Sequence, residues 1–402
     1  MTLDHSDTQA AEPLMPLHCA QALPAGPPIL TTLRTGTPVW LVRRHADVRQ
    51  VLTDPRLNRA SLFAPDAPAV TPYPNLLDDP EALLNLDGPE HQRLRRTVQR
   101  AFTPRAIARW RPWVASVVED LLNQLTDAEH PVDLVAAFTR PLPVAVICRL
   151  MGLDNLDLKR LAYWSDHALA TSAYTPQQVQ EAMQDFGAFG AALVAKRRAE
   201  PGDDLISSLV QAADQDGSMT EYQLVMLTIG LVVGGHETTM TSLGNALVYL
   251  LGEGRDSWAL LAGSEEQAGI AAEQLLRAVP LGDREVLPGQ LRRAVADVEI
   301  GGVLIPAGSV VAADTFGANH DEGVYGPDWR ADLFEPPSTP HLTFGAGPHH
   351  CLGAWLARME LELALHRLAR RLPGLRLTVD PAAIEWRRGL LTRSPLTLPA
   401  AW

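Results

Sequence analysis

The sequence predicts a mainly α-helical protein with small β-sheets, arranged as one domain with a helix-rich lobe and a smaller β-rich lobe. Three observations predict it. Helical patterns follow one another through the middle of the chain, strand-like alternation is confined to the flanks, and no linker-like segment interrupts the 402 residues.

Residues 1–28 are rich in Pro and Ala and are expected to form an irregular lead-in, which places the folded domain at 29–402. The apolar run 39–42 reads as a short strand. Helices are expected at 89–100, 106–125, 142–151, 176–198 and 204–213. The longest starts at Ser218 or Thr220, with Glu221 as an acidic first-turn residue, and runs past Leu251, about 45 Å at 1.5 Å per residue. Its segment 224–235 is apolar nearly all round but too short to span a bilayer before His236 and Glu237, so it reads as a core helix. Beyond Arg277, residues 295–305 alternate in strand fashion, Pro306-Ala307-Gly308 makes a turn, and a further strand runs through Ala313. Residues 321–343 are turn-rich. A helix follows Cys351, with Leu352, Trp355, Leu356, Met359 and Leu363 on one face, and short strands close the chain.

Composition narrows the function classes. With 46% hydrophobic and 20% charged residues the chain is that of a globular protein, and a net charge of -13 argues against generic nucleic-acid binding. Segment 1–10 holds Asp4 and Asp7, has no basic run and leads into no long apolar stretch, so the expected location is the cytoplasm, without a membrane anchor. Cys19, Cys148 and Cys351 are far apart and never form a C-x-x-C pair, which speaks against a disulfide framework or a zinc ribbon. One local exception interrupts the acidic balance: between His91 and Val118 stand Arg93, Arg95, Arg96, Arg100, Arg105, Arg109 and Arg111 with no acidic residue.

The densest constellation is Phe344-Gly345-Ala346-Gly347-Pro348-His349-His350-Cys351-Leu352-Gly353, followed by Leu356-Ala357-Arg358 and Glu360. A single cysteine ends a Gly-rich loop and opens a helix. Backbone N–H groups at such a helix start favour a thiolate, glycines admit a flat ligand, and the sulfur suits a borderline metal such as haem iron. These residues resemble the cytochrome P450 family, whose signature F-G-x-G-x-H-x-C-x-G-x-x-L-A-R-x-E is matched at every fixed position. A buried inert cysteine or a His-His-Cys zinc site would be the alternatives, but adjacent His349 and His350 cannot easily both reach a metal bound by Cys351.

The resemblance implies the P450 fold, haem b (iron protoporphyrin IX) as cofactor and Cys351 as the iron ligand. It extends to three further motifs. Gly234-Gly235-His236-Glu237-Thr238-Thr239 matches the segment whose acid-alcohol pair, here Glu237 and Thr238, delivers protons during dioxygen activation. A Gly pair inside a helix costs stability and implies that something packs against the helix there or opens it. His91 and Arg95, four apart on one helix face, match a clamp on a haem propionate, with Arg292, His349 and Phe344 carried over as further cofactor contacts; Arg293 is the alternative to Arg292. Glu273 and Arg277 match a structural ion pair, completed by Arg330.

By the same resemblance the expected activity is that of a monooxygenase, a monomer that takes dioxygen and a small, moderately hydrophobic molecule. Electrons would come from a separate acidic ferredoxin and its reductase, with the arginine strip as docking face. A non-enzymatic haem carrier or sensor is the alternative of another class. The expected pocket-lining segments carry no diagnostic charge.

Overall fold

A computed structural model describes residues 23–71, 78–153, 156–217, 219–282, 289–327 and 333–402. In chain order the strands are β1 (Ile29–Thr32), β2 (Pro38–Val42), β3 (Leu57–Asn58), β4 (Val132–Asp133), β5 (Gln290–Ala294), β6 (Val298–Ile300), β7 (Val303–Ile305), β8 (Val310–Ala313), β9 (Arg376–Leu377) and β10 (Pro399–Ala401). The helices are α1 (His45–Thr53), α2 (Gly88–Gln99), α3 (Pro104–Ala108), α4 (Arg111–Thr126), α5 (Pro141–Met151), α6 (Leu158–Ala168), α7 (Pro176–Ala199), α8 (Leu205–Asp216), α9 (Glu221–Leu251), α10 (Trp258–Leu261), α11 (Glu265–Ala278), α12 (Thr315–Asn319), α13 (Glu322–Tyr325) and α14 (Ala354–Arg371).

Local chemistry explains most boundaries. Prolines open α2, α3, α4, α5 and α7, where a missing N–H costs no helical bond. The expected helix 106–125 is two helices, because Pro112 sits in the first turn of α4 and cannot continue the ladder from α3. Alternation over 295–305 belongs to the hairpin of β6 and β7, which turns through Gly301 and Gly302, both at positive φ. Thr220 caps α9 in a capping box with Gln223; Ser218 lies outside the described residues.

Two layers result. β1-β2-β8-β5-β3 form a mixed sheet in which β2 and β8 run parallel, and its two faces carry separate apolar clusters. The larger core belongs to the helices. At its centre α9 runs about 46 Å, with α5 and α7 packed against it and α14 packed between α4 and α11. By length and composition α9 could cross a membrane, yet 72% of its most apolar window is buried inside the protein, as a core helix requires.

The Gly pair in α9 has a divided purpose. A Cβ on Gly235 would stand 2.4 Å from Ile147 Cδ1 of α5, so this position lets two helices approach, whereas a Cβ on Gly234 would meet nothing within 4 Å. On α14, Leu356, Met359 and Leu363 are buried as their spacing predicts. Trp355 is not: it is 49% exposed, with the Arg358 guanidinium 5.3 Å from its ring.

The structure also redirects the expected Glu273–Arg277 pair. Glu273 on α11 receives Arg358 of α14 through Nε at 2.6 Å and Nη2 at 3.1 Å, with His341 Nε2 at 3.3 Å. Arg277 donates instead to Gln274 Oε1 and to the Asn319 carbonyl, both at 2.8 Å, and lies over the Tyr325 ring. Arg330 lies outside the described residues. Burial opposes charge on Glu273, but His341 and Arg358 hold its carboxyl down to about 2.

A carboxyl depressed in the folded state stabilises the fold above its unfolded value of 4.5, and that contribution disappears as pH falls toward 2. Glu273→Gln is therefore expected to lower stability near neutral pH by about 2 kcal/mol and to flatten the loss of stability between those pH values. Urea unfolding at a series of pH values measures both; parallel curves for mutant and wild type would remove this pair from the stability account.

Candidate functional site

Between α9 and the 344–353 loop lies a cavity of about 670 Å³, a volume typical of small-molecule sites. On one side α9 presents Met226, Gly230, Gly234 and Thr238, residues four apart that share one helix face. Beyond the helix's own backbone, neither glycine would bring a Cβ within 4 Å of another atom, so this wall is smooth and open.

Cys351 lines the cavity from the loop. The loop reaches it through Gly345 and Gly347 at φ of 72° and 67°, and a Cβ on Gly347 would stand 2.8 Å from the Leu52 carbonyl. Cys351 N–H donates to the Phe344 carbonyl at 2.8 Å, and α14 begins three residues on at Ala354. The surface the cysteine exposes is cavity wall. Enclosure pushes its thiol up, while the Gly353 and Ala354 N–H groups, Arg95 and Arg358 work the other way. Those groups favour the thiolate once a cation meets the sulfur. Cys148 contrasts with it: burial alone pushes its thiol to about 11, and it is an inert core residue.

At one end of the cavity the chain concentrates positive charge. Arg59, His91, Arg95, Arg292 and His349 all line it. Alternation along β5 turns Arg292 inward, 2% exposed, and sends Arg293 outward to Asp66 at 2.6 Å. Burial lowers Arg292 to about 10. Burial, with Arg292 nearby, lowers Arg59 to about 9. The His91 and His349 rings lie 4.3 Å apart, tilted by 42°, and burial, His349 and Arg95 lower His91 to about 4, so it is neutral at physiological pH. Arg95 donates to the His350 carbonyl. Asp87 anchors the group, accepting from His349 Nε2 at 3.0 Å and from the Arg59 and Ala60 N–H groups at 2.7 and 2.9 Å.

This end fits the two carboxylates of iron protoporphyrin IX. Among the described residues, Asp78 and Asp87 alone counter the charge of Arg59 and Arg292, no carboxylate counters Arg95, and the buried Nε2 of His91 has no hydrogen-bond partner. A smooth glycine wall facing a sulfur fits the flat ring of the same group.

Two expected site residues stand elsewhere. Phe344 does not line the cavity; its ring lies 4.6 Å from the Arg358 guanidinium, and its carbonyl shapes the cysteine loop. Thr238 and Glu237 are adjacent in sequence but about 100° apart around α9. Thr238 faces the cavity, its hydroxyl donating to the Gly234 carbonyl at 2.8 Å, while Glu237 lies behind the wall, 3% exposed. There Glu237 Oε1 accepts from Arg387 Nη1 at 2.5 Å and Thr392 Oγ1 at 3.3 Å, and Arg387 also binds Asp166. Sequence reading missed Arg59, Arg358, Arg387 and Asp166 in these roles. Arg358 stands at a fixed position of the signature, though nothing there pointed to Glu273 as its partner, and nothing in the local pattern of Arg59, Arg387 and Asp166 separates them from the other charged residues.

The arginine strip is likewise divided. Arg95 turns inward, and Arg111 is held by Glu265 at 2.6 Å and by Glu362. Arg93 lies 3.8 Å from Glu90, and Arg96, Arg100, Arg105 and Arg109 are exposed.

A helix-dominated fold with a cysteine loop facing a glycine-walled cavity defines a haem-thiolate oxygenase. The Cytochrome P450 family model matches residues 284–392. The chain is 42% identical over 377 residues to nocardicin C N-oxygenase of Nocardia uniformis subsp. tsuyamanensis, covering 94% of this chain and 92% of the relative. It is also 42% identical to mycinamicin IV hydroxylase/epoxidase of Micromonospora griseorubida, over 91% and 90% of the two chains. The crystal structure of the LnmA cytochrome P450 hydroxylase, from the leinamycin biosynthetic pathway of Streptomyces atroolivaceus, superposes with a TM-score of 0.84 at 40% identity, covering 94% of this chain and 93% of that one. The chain belongs to the cytochrome P450 family: it is a haem-dependent monooxygenase of the bacterial type.

His91→Ala and Arg292→Ala are each expected to weaken haem retention by about 1.5–3 kcal/mol while leaving the helical content intact. Haem-to-protein ratio and the rate of haem transfer to an apo-acceptor measure this. Wild-type values in the double variant would exclude a clamp at this end.

Proposed function

We propose that Cys351 is the thiolate ligand of the haem iron and that His91, Arg95, Arg292 and His349 hold the propionates, with Arg59 beside them. One observation carries this reading: among the described residues one cysteine sulfur faces the glycine wall of α9 across a cavity whose end is lined by arginines. When bound, the haem supplies the activation of dioxygen, with one oxygen atom going into the substrate and the other leaving as water.

The chain's own residues set the charges and protons. Arg95 and the Gly353 and Ala354 N–H groups stabilise negative charge on the sulfur. Thr238 places a hydroxyl in the wall, able to turn from the Gly234 carbonyl toward the cavity. Glu237 is the proton store behind it, held by Arg387 and Thr392, and the Arg387–Asp166 pair continues the polar path away from the cavity.

The substrate is a small, largely hydrophobic metabolite. Leu62, Phe63, Val70, Leu83, Leu231 and Leu391 make that part of the cavity apolar, and the relatives named for nocardicin C and mycinamicin IV support a role in tailoring such compounds. Electrons come from an acidic ferredoxin and its reductase in the cytoplasm, to a monomeric enzyme. The docking face is the exposed set Arg93, Arg96, Arg100, Arg105 and Arg109, without Arg95 and Arg111.

The reduced carbon monoxide complex is expected to show the red-shifted Soret band of a thiolate ligand, and Cys351→His to lose it; a histidine-type spectrum in the wild type would overturn the assignment. Thr238→Ala is expected to bind haem and substrate normally but to divert electrons into hydrogen peroxide, whereas Glu237→Gln lowers turnover more than coupling. Product, peroxide and donor consumption distinguish the two; unchanged rate and coupling in both would reduce these residues to a helix turn. Charge reversal at three of the five exposed arginines is expected to raise the apparent Michaelis constant for ferredoxin and flatten its salt dependence, with substrate binding untouched. Unaltered donor kinetics would move the docking face elsewhere.

A further inference from the structure

Among the described residues five arginines line the cavity: Arg34, Arg59, Arg95, Arg277 and Arg292. Four of them have an acceptor. Arg59 donates to Asn85 Oδ1, Arg95 to the His350 carbonyl, Arg277 to Gln274 and the Asn319 carbonyl, and Arg292 to the Leu291 carbonyl. Arg34 has no hydrogen bond or ion pair with any described residue. The two aspartates of the cavity wall among the described residues are already engaged, since Asp78 acts on Arg59 and Asp314 caps α12 by accepting from the Gly317 N–H at 2.8 Å.

The position of Arg34 is fixed even though its side chain is exposed. It sits in the turn between β1 and β2, closed by Leu33 N–H to the Thr37 carbonyl and Gly36 N–H to the Leu33 carbonyl, both at 2.9 Å. Thr35 and Thr37 hydroxyls then tie that turn to the Ala69 carbonyl at 2.7 and 2.6 Å. Leu33, next in the chain, packs in one cluster with Leu62, Phe63 and Val70, three apolar residues of the cavity wall. Arg34, itself a cavity-lining residue, is thus carried on a rigid support beside an apolar stretch of the wall, and its guanidinium has no acceptor among the described residues.

We infer that Arg34 is a specificity-determining residue that binds a carboxylate on the substrate, so that the substrate class is a hydrophobic skeleton carrying an acidic group. The planar guanidinium matches a carboxylate with two parallel N–H donors, and an apolar skeleton entering the cavity displaces water from its wall, which strengthens the pair. A neutral molecule of the same shape would leave the guanidinium without its acceptor. This inference rests on the proposed monooxygenase site and adds the charge that its lining segments lack.

Haem-loaded protein is titrated with matched acid and primary amide pairs, dodecanoic acid with dodecanamide and 4-phenylbutyric acid with 4-phenylbutanamide, by Soret displacement and by calorimetry. Wild type is expected to bind at least one acid about tenfold more tightly than its amide, a preference that falls with added salt. Arg34→Gln is expected to equalise the pair, and Arg34→Glu to favour the amide, with haem content unchanged in both. If no acid binds more tightly than its amide, or if the preference survives Arg34→Gln, the inference is overturned. Failure of the haem-thiolate assignment is seen separately, in the reduced carbon monoxide spectrum before any organic ligand is added.

Discussion

Everything at the centre of this molecule answers to one electrostatic constraint: a deep cavity with low-dielectric walls must accept anionic groups, so the fold has to bring cations to it in advance. Arg59, Arg292 and Arg95 come from the β3 segment, β5 and α2, and burial lowers the pKa of each. Such groups repel one another until an anion joins them. Asp87, tied to His349 and to two backbone N–H groups, keeps the cluster together in the meantime.

The same constraint shapes the cysteine side. Enclosure alone would keep Cys351 a thiol, and the opposing influences are two N–H groups at the start of α14, Arg95 on one side and Arg358 on the other. Arg358 serves twice. Its guanidinium stacks on Phe344 and forms the bidentate pair with Glu273, so the loop that carries the sulfur is bolted to α11. An aromatic residue expected at the cofactor thus supports it indirectly, through the arginine it stacks on and the carbonyl it offers to Cys351.

Division of labour along α9 is a consequence of helical geometry. Consecutive residues point about 100° apart, so a hydroxyl in the cavity wall and a carboxylate next to it in sequence cannot share one environment. Thr238 stays beside open space provided by Gly234, and Glu237 is carried into a buried network with Arg387 and Asp166. The arrangement separates the group that meets the cavity from the groups that connect it to the outside.

Much of this was legible in the chain itself, wherever the information was local. Helical periodicity located α2, α5, α7, α8 and α9 to within a few residues, because burial of one face repeats every turn; the Gly-rich loop marked Cys351 because glycine and a single cysteine together have few other uses. Pro112 should have divided α3 from α4, a signal present but outweighed by the apolar pattern around it. What no local pattern contained were the partners. Glu273 paired with Arg358 across 85 positions and Glu237 with Arg387 across 150, while Arg111, one of seven arginines in an acid-free stretch, was neutralised by Glu265 and Glu362. Residue types and their periodicity fix which side chains are buried and what chemistry they can perform; which opposite charge reaches each of them depends on how helices far apart in sequence pack, and an arginine looks the same in the chain whichever carboxylate the fold brings to it.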